Sequence, residues 1–212
     1  MLRRIVLIVT LTSVLGSAQA GVVDQSQEVF DTSLFVISPD WRIAQTFTAG
    51  MSGKLEKVDL HLTNVFDSEL YPSTVSIVNV NGGVPDGALL GEAFTGPLAA
   101  GVNSIDFSSD SIYLTSGVQY GIVMTNDDPA HYFGPSTQWR STSTDVYAGG
   151  SVWSFSSTTG WVQSYEPEDP LFPIETYFDK DTVFTTHMAV PAPSSLLLVS
   201  CGSLLLLRKR RG

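Results

Sequence analysis

The chain has 212 residues, with 11 Lys and Arg against 21 Asp and Glu, for a formal net charge of −10. Six of the bases sit at the two ends, so residues 21–190 carry 5 bases against 21 acids, a net of −16. That excludes a nucleic-acid binder, since phosphate contacts need clustered Lys and Arg. Apolar residues at 43% and aromatics at 10% exclude a disordered chain, and the length suits one domain.

In chain order, Met1-Leu2-Arg3-Arg4 is a basic start, Ile5 to Leu15 is an apolar run, and Gly16-Ser17-Ala18-Gln19-Ala20 is a small-residue cleavage signal. These are the three parts of a secretory signal peptide, expected as a helix over 1–20, with Ala18 and Ala20 at the cleavage site and Gly21 the first mature residue.

Residues 21–189 form the expected extracytoplasmic domain. Its apolar residues recur with period two. In Lys57–Thr63, Val58, Leu60 and Leu62 point one way and Asp59, His61 and Thr63 the other. Val118, Tyr120, Ile122 and Met124 form a second such set, and Thr182–Met188 alternates less cleanly. Further short strands are expected over 44–48, 74–80, 104–107, 151–155 and 160–165. Asn81-Gly82-Gly83, Pro85-Asp86-Gly87, Ala100-Gly101, Asn126-Asp127-Asp128-Pro129 and Ala148-Gly149-Gly150 supply turn chemistry, and scattered prolines exclude long helices. The expected fold class is all-β: an antiparallel β-sandwich, jelly-roll-like, flanked by the N-terminal signal helix and a short hydrophobic C-terminal helix. The first ~20 mature residues are expected to attach loosely, since they lack this alternation.

Four stretches of this domain resemble the choice-of-anchor domains of bacterial surface proteins. They are Gln45-Thr46-Phe47-Thr48-Ala49-Gly50, Val58-Asp59-Leu60-His61-Leu62, Gly83-Val84-Pro85-Asp86-Gly87 before Leu89-Leu90-Gly91, and Ser116-Gly117-Val118-Gln119-Tyr120 before Ile122-Val123-Met124. The resemblance covers roughly residues 42–165. It implies an extracellular β-sandwich of unassigned activity and carries no catalytic residue across.

An enzyme is not expected, and no catalytic residue is assigned. There is no Gly-x-Ser-x-Gly, and His61, His131 and His187 lie far apart, with His61 and His187 expected at the surface. Glu166, Glu168 and Asp169 are the only carboxylates grouped for hydrolysis, in a Pro-rich acidic loop that reads as a solvated connection. No cofactor and no metal ligand set is assigned. Asp127-Asp128 and Asp179-Lys180-Asp181 offer hard oxygens suited to a structural Ca²⁺, without an EF-hand pattern, and no His/Cys cluster suits zinc.

The aromatics are the remaining chemistry. Trp139, Tyr147, Trp153 and Trp161 crowd a short stretch with Tyr132, Phe133, Phe155 and Tyr165. Such rings either fill the core or stack on sugar faces. Trp153 and Phe155 share a strand face, and Trp161, after the turn Thr158-Thr159-Gly160, is the candidate for exposure. The candidate glycan-binding set is Trp139, Tyr147, Trp153 and Trp161.

At the C-terminus, Val190-Pro191-Ala192-Pro193-Ser194 precedes an apolar run reaching Leu207, which contains Cys201, and Arg208-Lys209-Arg210-Arg211 follows. Cys201 is the sole cysteine, so the domain has neither disulfide nor thiol nucleophile. Residues 194–207 would span about 21 Å as a helix, short of a bilayer core of about 30 Å. The bases keep this end cytoplasmic. This layout over 190–212 resembles the PEP-CTERM sorting signal, with Ala192 where that family has Glu. The resemblance implies processing by exosortase, a membrane protease, after passage through the export translocon. Function is therefore expected as an exported envelope or matrix-associated structural or interaction protein, with binding of polysaccharide as the alternative; a retained tail would act as a simple membrane anchor.

Overall fold

In the computed structural model the described residues are 21–31, 34–37, 41–64, 72–126, 137–163 and 180–189. They contain thirteen strands and no helix. The strands are β1 (Val22–Gln27), β2 (Leu34–Ile37), β3 (Trp41–Thr48), β4 (Gly53–Asn64), β5 (Pro72–Asn79), β6 (Leu89–Pro97) and β7 (Gly101–Asp106). They continue with β8 (Tyr113–Leu114), β9 (Gln119–Asn126), β10 (Thr137–Arg140), β11 (Val152–Ser156), β12 (Gly160–Val162) and β13 (Phe184–Met188).

All pairings between them are antiparallel, and two sheets result. The first is ordered β1-β13-β4-β10-β2, with β7 and β8 also paired to β4. The second is ordered β12-β11-β3-β9-β5-β6. The long strand β4 organises the first sheet. It pairs with β13 over Leu55 to Leu60 and with β10 from Leu62 to Asn64, while β7 pairs with Lys57 to Leu62. Because these ranges overlap, β7 must lie on the edge of β4 opposite to β13 and β10. The β4–β13 register shifts between His187 and Met188, which lets both Leu55 and Val58 point inward although an odd number of steps separates them.

The inward sets of both sheets meet in one buried cluster, giving a sandwich. Ile43, Phe47, Val75, Ile77, Ile122 and Met124 come from the second sheet; Leu55, Val58, Leu60, Leu62, Trp139 and Phe184 come from the first. Alternation is the cause: each strand gives its period-two apolar set to the interior and leaves the intervening residues outside.

A buried polar knot closes one part of this interior. Gln45, inward on β3, donates through Nε2 to Asp181 Oδ1 at 3.1 Å and accepts at Oε1 from the Thr182 amide at 2.7 Å. The other oxygen of Asp181 accepts the amides of Val146 and Tyr147 at 2.9 and 2.8 Å. Burial pushes the Asp181 carboxyl up, and these hydrogen bonds offset that only in part.

One expectation is corrected. Residues 22–27 do not hang loosely: β1 pairs along β13 from Val22↔Met188 to Gln27↔Phe184, so backbone bonds hold a segment whose side chains are mostly polar. The expected signal region with Ala18 and Ala20, His131, Asp127-Asp128, Glu166, Glu168 and Asp169, Asp179, and the expected sorting tail with Val190, Pro191, Ala192, Pro193, Ser194, Cys201, Arg208, Lys209, Arg210 and Arg211 all lie outside the described residues.

Candidate functional site

The outer face of the second sheet carries a groove, and strand register places its residues. Trp153 pairs with Ala44, Ala44 with Val123, Val123 with Ser76, and Ser76 with Glu92, so one line of outward side chains crosses five strands. Beside it, Trp161 pairs with Phe155 and Phe155 with Arg42; further across, Thr125 pairs with Thr74 and Thr74 with Phe94.

Ala44, Val78 and Val123 are buried on this outer side, with Trp153 and Trp161 packed half-buried against them, as an apolar cluster separate from the main core. The Phe155 and Trp161 rings are 5.3 Å apart and tilted by 57°. The Arg42 guanidinium lies 5.1 Å from the Phe155 ring centre, a cation–π contact. Trp153 Nε1 is enclosed and meets no acceptor.

The groove has a volume of about 310 Å³ and is lined by Trp161, Arg42, Thr125, Ser76, Val78 and Val123, with Pro85, Asp86 and Gly87 along one side and Leu89 and Glu92 at the rim. Its size is at the small end for ligand sites. The side wall depends on glycine. Asn81 and Val84 exchange two backbone hydrogen bonds around Gly82 and Gly83, both at positive φ, so the chain doubles back. Pro85 then reaches the sheet over Gly121, where an added Cβ would stand 2.9 Å from Pro85 Cβ and 3.0 Å from Val78 Cγ2. Asn81 Nδ2 donates to Asp86 Oδ1 at 3.1 Å, fixing that carboxylate on the wall.

Of the four aromatics proposed from sequence, the structure brings two together. Trp153 and Trp161 share the outer face. Trp139 is corrected: it is wholly enclosed between the sheets, and its Nε1 donates to the Val183 carbonyl at 2.7 Å, so it has no face to offer a ligand. Tyr147 is corrected as well. Its ring meets Phe184 edge-on at 5.2 Å, its hydroxyl donates to Gln25 Oε1 at 2.9 Å, and burial pushes that hydroxyl up to about 12. Sequence reasoning missed Arg42, Ser76, Asp86, Glu92 and Thr125. The alternation Arg42-x-Ala44 and Ser76-x-Val78 was the available signal, because it places each polar residue on the same face as a small apolar one.

Of the histidines, His61 and His187 both stand on the outer face of the first sheet, and both are partly covered. His187 is largely covered, and its Nε2 lies 2.7 Å from Asp59 Oδ2 on the outer face of the first sheet. Lys57 Nζ reaches both oxygens of Asp59 at 3.0 Å, and the Ser104 hydroxyl donates to Asp59 Oδ1. Burial would raise the Asp59 pKa, but the bonds from Ser104, Lys57 and His187 outweigh it and hold the carboxyl below its ordinary value. Serine, histidine and aspartate thus meet, but the serine bonds the carboxylate and not the imidazole, so His187 is not placed to take its proton as in a catalytic triad. His61 lies under Phe30, ring centres 5.3 Å apart, and burial together with the charge of Arg140 lowers its pKa.

Asp181, one of the candidate Ca²⁺ oxygens, spends both carboxylate oxygens on protein N–H donors. Among the described residues no three His, Cys, Asp or Glu side chains form a group fit for a metal. No protein-family model matches the chain, and no curated protein matches it.

Proposed function

We propose that the chain is an exported interaction module of the cell envelope or extracellular matrix, delivered by the signal at 1–20 and processed or anchored through the tail at 190–212, with the export translocon and an exosortase-type protease as its partners. One observation carries this. Antiparallel pairing sets Val22 opposite Met188, and the Ala189 amide donates to Lys54 O at 2.8 Å, so Val22 and Ala189, which adjoin the proposed cleavage point and tail, lie at the same end of the domain. A domain whose two membrane-directed segments leave from one end can sit at a bilayer during processing with both sheet faces clear of it. The sandwich is read here as jelly-roll-like, and no catalytic role is proposed for it.

Intact-mass measurement on fractionated cells tests the proposal. Mature protein should begin at Gly21, and secreted material should lack Arg208 to Arg211; retention of those bases on membrane-bound protein would make the tail a simple anchor. Protein that still begins at Met1 and is confined to the cytosol would overturn export.

A second function, binding of carbohydrate, is supported by the groove itself. Half-buried Trp161 lies beside hydroxyls and carboxylates on an outward face, the combination that sugar rings match with one apolar face and a rim of hydroxyls.

A further inference from the structure

The lining of the groove mixes hydroxyls with charged groups of both signs. Around Trp161 stand the hydroxyls of Ser76 and Thr125, the exposed carboxylates of Asp86 and Glu92, and the guanidinium of Arg42. Arg42 lies over the Phe155 ring and Asp86 is held by Asn81, and with two carboxylates to one guanidinium the lining carries a net negative charge. Carboxylates accept hydrogen bonds strongly from sugar hydroxyls, because the acceptor is charged. They repel a sugar that carries its own carboxylate or sulfate, and residues 21–190, with 21 acids and 5 bases, strengthen that repulsion at a distance. The groove is also open along the sheet: Leu89 at 55% and Phe94 at 70% exposure continue the outer side along the edge strand β6. An extended chain can therefore run past the cavity.

We propose that this groove binds an uncharged polysaccharide, one ring stacked on Trp161 and its hydroxyls bonded to Asp86 and Glu92. This rests on the carbohydrate-binding function proposed above. It adds the ligand class and excludes polyanionic chains such as uronates.

The test is tryptophan fluorescence and calorimetric titration of the purified full-length chain with soluble hexamers of defined charge. The panel contains β-1,4- and α-1,4-linked glucose, β-1,4-linked mannose, alginate as the polyuronate and chitosan as the polycation. At least one neutral hexamer should bind saturably, with an affinity unchanged within about twofold on going to ~1 M salt, where screening acts over only ~3 Å. Alginate should not bind. Trp161→Ala should weaken the neutral ligand by about tenfold or more, and the exposed Glu92→Gln by roughly threefold or more, through the lost stacking and the lost charged acceptor. Circular dichroism of both variants should match the parent chain, and Glu92→Gln keeps the test valid if Trp161→Ala misfolds. Binding of alginate alone, or chitosan held more tightly than neutral sugars in high salt, overturns the ligand class and leaves carbohydrate binding standing. Neutral binding that neither variant weakens overturns the placement in this groove. Binding of no hexamer at all overturns carbohydrate binding itself.

Discussion

The two outer faces of the sandwich come from the same alternation and end in opposite chemical states. On the first sheet, Lys57, Asp59, Ser104 and His187 converge from β4, β7 and β13, and Asp59 serves the other three as a common acceptor. On the second sheet, Trp153 and Trp161 pack over Ala44, Val78 and Val123, with Ser76, Thr125, Asp86 and Glu92 lining the groove beside Trp161. The first face is closed on itself, while the second keeps apolar area and polar groups that a ligand could engage. Outward strand positions are free of the core's demands, so what fills them separates a structural face from a binding one.

The largest effect should come from contrasting two tryptophans across that boundary. Trp139→Ala removes a ring wholly enclosed between the sheets and leaves the Val183 carbonyl with only the longer bond from the His61 amide; a loss of about 3–5 kcal/mol is expected. Trp161→Ala trims a half-buried ring from the outer cluster, and less than about 1.5 kcal/mol should be lost. Urea midpoints of the two variants measure the difference. Similar losses would mean that Trp161 is core in the same sense as Trp139, and the distinction between the faces would fail.

A middle-sized effect probes the closed face through pH. The Asp59 carboxyl has a lowered pKa in the folded chain, so its contribution is fully present above the ordinary carboxylate range and is lost as pH falls through that lowered value. Asp59→Asn should therefore cost about 1–2 kcal/mol at neutral pH, where the three donors lose a charged acceptor. That gap should close in strong acid. Asp181 works in the opposite sense: its raised pKa means the folded chain holds that proton more tightly, so stability from this group rises as pH falls. The parent's acid curve alone mixes the two, and the difference between parent and Asp59→Asn separates them. A gap that stays constant down to strong acid would show that Asp59 is not held by charge.

Much of the strand pattern was legible because it is local. Val58, Leu60 and Leu62 alternate with Asp59, His61 and Thr63, and β4 buries the first set as the spacing requires. Strands β1 and β6 were not legible. Val22–Gln27 is mostly polar, and Leu89–Pro97 contains Gly91 and Gly96; each is a strand because a neighbour supplies backbone partners. The groove was legible only by half. That Trp153 and Phe155 share a face follows from period two, but which face is decided by pairing with Ala44 and Arg42, more than 100 residues away. His187 likewise finds Asp59 across 128 positions, a contact no local spacing announces. Trp139 stayed open between core and surface for the same reason: an aromatic on a four-residue strand reads alike whether it turns inward or outward.

The smallest effect tests whether the groove wall rests on the sheet through Gly121. Replacing Gly121 with Ala places a methyl 2.9 Å from Pro85 Cβ and 3.0 Å from Val78 Cγ2, closer than packed carbons tolerate. Overpacking of this kind costs about 1–3 kcal/mol, while the stiffer unfolded chain returns about 0.4–1 kcal/mol, so a net loss near 1 kcal/mol is expected. The same change alone could also act by roughening β9, which pairs on both sides with β3 and β5. A double-mutant cycle distinguishes the two. Pro85→Gly deletes the atom that the new methyl meets, so Gly121→Ala should cost measurably less in that background, by several tenths of a kcal/mol or more, if the contact is the cause. If the two losses add, Pro85 is not seated on Gly121, and the wall that carries Asp86 over the groove is held by the Asn81–Val84 turn and by the backbone bonds of Asn79 with Gly87 and Ala88.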